Sequence, residues 1–108
     1  MTAEHRMMNE IRVALSAAGC VVFRVNVGRG RTFDGRYFDT GVPVGFSDLF
    51  GVTTHGRAFF IEVKTPKGKP TPAQTAFLRA MEHNGALAGI CRSAEEALIL
   101  IRSEDKNV

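Results

Sequence analysis

Cysteine is scarce in this 108-residue sequence, and long apolar runs are missing altogether. Cys20 and Cys91 stand alone, each beside a short apolar run. That rules out a disulfide framework and leaves reduced, buried thiols as the expectation, in an intracellular, cytoplasmic setting. No stretch approaches the roughly 20 residues of a membrane helix, and the polar opening "MTAEHRMMNE" does not read as a secretory signal, so no membrane partner is expected. His5, His55 and His83 have no spacing with the cysteines that resembles a zinc site. Internal repeats, low-complexity tracts and a second composition are absent too, which makes 1–108 one expected domain with a core of its own.

What is present is ordinary globular material with a basic tilt: 44% hydrophobic, 23% charged, a formal charge of +3 and a pI near 9.2. The tilt permits a polyanionic partner without requiring one. Its distribution says more. Arg24, Arg29, Arg31 and Arg36 fall in one stretch whose only acid is Asp34, and Lys64, Lys67 and Lys69 fall in another with none. Either block suits a solvated loop or a phosphate-binding surface.

Periodicity orders the chain as α-β-β-β-α-β-α, an α/β fold with a small mixed sheet flanked by helices. Met7, Met8, Ile11, Ala14, Leu15 and Ala18 recur at helical spacing, with Thr2 as N-cap and Gly19 as stop. "CVVFRVNV" reads as a strand, and "RTFDGRYF" as a small hairpin around Asp34-Gly35 within an exposed flap. "FSDLFGVTT" and "RAFFIEVKT" form a hairpin that turns near His55-Gly56. Thr71 and Pro72 open a helix that stops at Gly85. "ALAGICR" is a strand, and Ser93 with Glu96 makes a capping box for the last helix.

The segment "FFIEVKTPKGK" carries the chemistry. Alternation puts Phe59, Ile61 and Val63 on one face and Phe60, Glu62 and Lys64 on the other. A charged end beyond a buried start suggests a cleft; an exposed edge ion pair worth about 0–1 kcal/mol is the plainer reading. In the expected hairpin Asp48 lies beside Glu62. Two carboxylates that close repel unless a proton or cation sits between them, and a hard divalent ion such as Mg²⁺ fits an oxygen site of that kind, in the service of phosphodiester hydrolysis. Lys64 would orient water and stabilise charge on phosphate oxygens. On the first helix Glu4 points within about 60° of the apolar residues, whereas Glu10 points roughly 120° away from it. Glu4 is therefore the candidate third acid, or an acid serving the helix dipole. Gln74 is open between the site and a capping box with Thr71.

Glu4, "FRVNVG", "GFSDLF", "FIEVKTPKGK" and "TPAQTAFL" together resemble the VRR-NUC domain, a branch of the PD-(D/E)XK nuclease superfamily. The resemblance runs from about Glu4 to Ile101. It implies a restriction-endonuclease-like core in which Asp48 and Glu62 bind Mg²⁺ or Mn²⁺ with the backbone carbonyl of Val63, and Glu4 reaches the metal through water. Lys64 would match the catalytic lysine and Gln74 the glutamine after the lysine strand. Where the family often has proline before the aspartate, Ser47 stands here. Stand-alone members, often phage-encoded and so acting in a host cytoplasm, resemble Holliday-junction resolvases and work as homodimers on branched DNA. Arg24, Arg29, Arg31, Arg36, Lys67 and Lys69 would then hold DNA, or the 29–36 segment would join the dimer. The alternative is a non-catalytic nucleic-acid-binding module with the same fold.

Overall fold

A computed structural model describes residues 1–106, so the last two positions of the expected 1–108 domain lie outside the described residues. The first helix, α1 (Ala3–Ala17), starts where Thr2 accepts a hydrogen bond from the His5 N–H and ends before Gly19, whose φ of 89° breaks the helical path. Strands β1 (Val21–Arg24), β4 (Leu49–Val52), β5 (Ala58–Val63) and β6 (Leu87–Cys91) form one sheet in the order β1-β4-β5-β6. Between β1 and β4, the strands β2 (Arg29–Arg31) and β3 (Tyr37–Asp39) make a separate antiparallel hairpin. Helix α2 (Pro72–His83) joins β5 to β6, and α3 (Ala94–Arg102) follows, ending in a short 3₁₀ turn, Ser103–Lys106. The expected mixed α/β order is present, with the 31–38 hairpin formed as a flap.

Register explains the layering. β4 pairs antiparallel with both β1 and β5, while β6 runs parallel to β5 because α2 carries the chain back across the sheet. β5 is therefore interior, which disposes of the exposed-edge reading of Glu62 and Lys64. On one face Phe59, Ile61 and Val63 pack with Leu49 against Met8, Ile11 and Leu15 of α1 and Ala97 and Ile101 of α3. The other face is aromatic. Phe46 lies 4.5 Å from Phe77 of α2 and 6.0 Å from Phe60, and Phe50 stacks on Phe23 at 5.3 Å. Edge-to-face and stacked pairs of this kind add about 0.5–1.5 kcal/mol each beyond their burial.

That aromatic face anchors the loop leading into β4. Gly45 has φ 94°, and a Cβ there would come within 2.5 Å of the Ala73 carbonyl, so only glycine lets the loop lie against the start of α2. Two residues on, Ser47 is fully buried and donates to the Leu49 carbonyl at 2.8 Å. At the position where the resemblance leads to an expectation of proline, a side-chain bond shapes the backbone here.

The caps differ in one detail from expectation. Thr71 and Gln74 form a complete capping box. At α3, Ser93 accepts from the Glu96 N–H, but the Glu96 carboxylate accepts from Arg92 N–H at 2.7 Å instead of from Ser93. The box is therefore half made, its return bond taken by the residue before the cap. Cys20 and Cys91 are buried and free, as expected, and burial pushes the Cys91 thiol up to about 12, which makes it inert.

Candidate active site

β4 begins one residue after Asp48, and the antiparallel register that pairs Leu49 with Ile61 sets Asp48 opposite Glu62. The ladder stops there. In place of a strand partner, the Val63 N–H donates to Asp48 Oδ2 at 2.9 Å, and strand geometry turns the Val63 carbonyl to that same side. On the far side of Asp48 its own carbonyl accepts from the Val25 N–H at 2.8 Å. Asp48 is thus held by β1 and β5 together.

Glu62 is 2% exposed. Its Oε1 accepts from Gln74 Nε2 at 3.1 Å and lies 3.9 Å from Lys64 Nζ, whereas its Oε2 is buried with no hydrogen-bond partner. Burial first, and then the adjoining Asp48 carboxyl, raise the Glu62 pKa to about 8, with Lys64 offsetting part of the rise. An orphaned carboxylate oxygen in a native interior is rare enough to need a cause. A proton, or a cation shared with Asp48, supplies one.

Gln74 makes both of the contacts between which the sequence left it open. Its Oε1 accepts from Thr71 N–H at 2.9 Å, completing the cap, while its Nε2 reaches Glu62. The side chain is therefore fixed from its own helix before it touches the acid.

The remaining candidates stand apart from this pair. Glu4 is half-buried and Glu10 exposed, as the helical phase requires, but Glu4 lines a depression with His5, Arg24 and Thr65. Among the described residues, Glu4, Asp48 and Glu62 do not form a group with ligand atoms mutually within 4.8 Å. Any part Glu4 plays would be through water. Arg24 is exposed at the end of β1 beside that depression, and Lys67 and Lys69 are exposed on the loop after β5. Arg29, Arg31 and Arg36 sit on the flap; Arg36 pairs with Asp34 at 3.0 Å, Thr32 also bonds Asp34, and Arg31 donates to the Gly35 carbonyl at 3.1 Å.

Two features had no signal in the sequence. Arg92, just past β6, donates through Nη1 to the carbonyls of Thr65 and Gly68, the latter at 2.7 Å, and so ties down the loop that follows Lys64. Its partners lie more than twenty residues away and are backbone atoms, which no side-chain pattern announces. His55, Glu104 and Asp105 bring ligand atoms within 4.8 Å of one another at the opposite turn. There, however, Glu104 already accepts from Thr53 Oγ1 at 2.8 Å and meets His55 Nδ1 at 2.9 Å, so its oxygens are satisfied.

The model of the VRR-NUC domain family matches residues 23–95, more than half of the chain, and spans Asp48, Glu62, Lys64 and Gln74 but not Glu4. A solved structure described as a VRR_NUC domain superposes with a TM-score of 0.68 at 24% identity, covering 94% of this chain and 97% of that one. A search of curated proteins finds no match. Together with the register that joins Asp48 to Glu62, the family match makes this chain a member of the VRR-NUC family of nuclease domains.

Proposed function

We propose that the chain is a metal-dependent, structure-selective DNA endonuclease, one nuclease domain acting as a homodimer on branched DNA such as four-way junctions. The observation that carries the reading is the buried Glu62 with a bare Oε2 beside Asp48. The donor set fits Mg²⁺ or Mn²⁺: carboxylate oxygens of Asp48 and Glu62, with the Val63 carbonyl turned to the same side. A divalent cation bound there would act as a Lewis acid toward a phosphodiester and make water nucleophilic near neutral pH. Lys64, 16% exposed at the strand end, is placed to hold a phosphate oxygen or orient the attacking water. Gln74 keeps Glu62 Oε1 pointed and leaves Oε2 free. Arg92 holds the loop from Thr65 to Gly68 so that Lys64 leaves the sheet in one direction. Phosphate contacts would come from Arg24, Lys67 and Lys69 on the body and Arg29 and Arg31 on the flap. Junction selectivity and pairing rest on the resemblance to stand-alone members of the family, and a two-fold dimer suits the two related strands of a junction.

The test is cleavage of end-labelled four-way junction, flap and linear duplex DNA in Mn²⁺, Mg²⁺ and chelator. Symmetric, metal-dependent nicking of the junction supports the reading. Salt-sensitive binding with no product in either metal makes the protein a binding module instead.

A further inference from the structure

The sheet order leaves β1 and β6 as its edges. Lys64 N–H donates to the Cys91 carbonyl, so Cys91, and by alternation Gly89 and Leu87, turn their main-chain groups toward β5. Ala88 and Ile90 turn theirs outward, where no described residue bonds to them. Natural edges are guarded by charge, proline, bulges or a covering element. The run Leu87-Ala88-Gly89-Ile90-Cys91 has no charge and no proline, whereas β1, the other edge, carries Arg24 and borders the candidate cleft. Helices α2 and α3 pack on the two faces of β6 and leave a depression along it on each face, one lined by Leu78, Arg79 and Glu82, the other by Ile99 and Leu100, and the Ile99 side chain is exposed.

We propose that this edge is the homodimer interface, occupied by β6 of a second copy running antiparallel about a two-fold axis at Gly89. The inference specifies the homodimer of the proposed function and rests on the edge itself. With Gly89 opposite the partner's Gly89, Ala88 faces the partner's Ile90 and Ile90 the partner's Ala88. Both residues of each such pair have outward main-chain groups, so each pair exchanges both of its N–H···O=C bonds. A register shifted by one residue would set outward groups against inward ones and make none. The chosen register also sets a small side chain against a large one, on the α2 face, at both pairs. Arg79 and Glu82 are exposed on that flank and enter no ion pair among the described residues. A flank turned by the two-fold presents its acid to the other's base, which makes the surface complementary to itself.

Gly89 supplies a direct test. It falls in a non-hydrogen-bonded pair on the axis, with a Cα separation of about 4.5 Å, inside the range a disulfide accepts. A Cβ at Gly89 meets only Leu100 methyls at 3.6 Å, an ordinary contact, so Gly89→Cys is accommodated. Mild oxidation of the full-length Gly89→Cys chain is expected to give a covalent dimer on a non-reducing gel, while the parent chain, with Cys20 and Cys91 buried, gives none. Sedimentation velocity across the micromolar range is expected to show a dimer that Ala88→Pro converts to monomer with unchanged far-ultraviolet dichroism, since an outward edge position accepts proline; Ile90→Lys serves if that variant misfolds. A monomeric parent chain overturns the proposal, as does a dimer that persists in Ala88→Pro or Ile90→Lys, or an absent crosslink. Junction cleavage by a monomer would remove this interface and keep the nuclease; a Gly89-crosslinked dimer that cuts nothing would do the reverse.

Discussion

Two acidic centres lie at opposite turns of the same sheet, and they hold their glutamates in opposite ways. Glu104 has both carboxylate oxygens engaged, by the Thr53 hydroxyl and the His55 ring, and those bonds lower its pKa. Glu62 has one oxygen on Gln74 and one on nothing, and burial together with Asp48 raises its pKa. The Glu104 centre has more ligand-type residues close together, yet it is a finished structural clasp joining the β4–β5 turn to the chain after α3. The Glu62 centre has fewer and is unfinished. An unsatisfied acceptor oxygen, more than the number of acids gathered, marks a place built for a ligand.

The contrast is sharpest in cleavage. Lys64→Ala and Asp48→Asn are each expected to lower the junction-cleavage rate at least about 100-fold, with binding measured in chelator nearly unchanged. Glu104→Gln should leave that rate as it is. Equal loss in all three variants would erase the distinction.

Gln74 allows its two roles to be separated. Gln74→Glu keeps the acceptor for Thr71 N–H but faces Glu62 with a carboxylate in place of a donor, so cleavage is expected to fall while the helix start survives. Gln74→Ala loses both and should cost about 1 kcal/mol of stability in chemical denaturation. If Gln74→Glu cleaves normally, the contact with Glu62 has no catalytic consequence.

Stability against pH should differ in sign between the two glutamates. Glu62 has a folded pKa of about 8, above its unfolded value of 4.5, so the folded state binds the extra proton between them. Its contribution is complete below pH 4.5 and is lost as pH rises toward 8. In metal-free buffer Glu62→Gln is expected to flatten that decline and to be more stable than the parent chain at pH 8 by roughly 1–3 kcal/mol. The clasp behaves otherwise. His55, raised by Glu104, contributes stability that is full below pH 6.5 and fades as pH climbs through its folded value; Glu104, lowered by His55, contributes above pH 4.5 and loses it on acidification. Glu104→Gln should therefore lower the melting temperature most between those limits, by less than Glu62→Gln raises it at pH 8.

Much of this is legible in the sequence. The periodicity of α1, the Thr71 box and the turn at Gly56 are local signals, and local structure follows them. Asp48 and Glu62 could be paired because both flank one short hairpin, whose register is set by its apolar faces. Three things were not legible. The interior place of β5 depends on β6 returning parallel across α2, a long-range choice. The bare Oε2 of Glu62 is a fact about every neighbour at once. Arg92 bonds to backbone carbonyls, which have no residue type to read.

Calorimetric titration of Mn²⁺ into the parent chain, Glu62→Gln and Glu104→Gln tests the distinction most directly. A binding event is expected in the parent chain that Glu62→Gln abolishes and Glu104→Gln retains. Binding that survives Glu62→Gln and vanishes in Glu104→Gln would contradict it, placing the cation in the clasp and leaving the buried pair at Asp48 and Glu62 to hold only a proton.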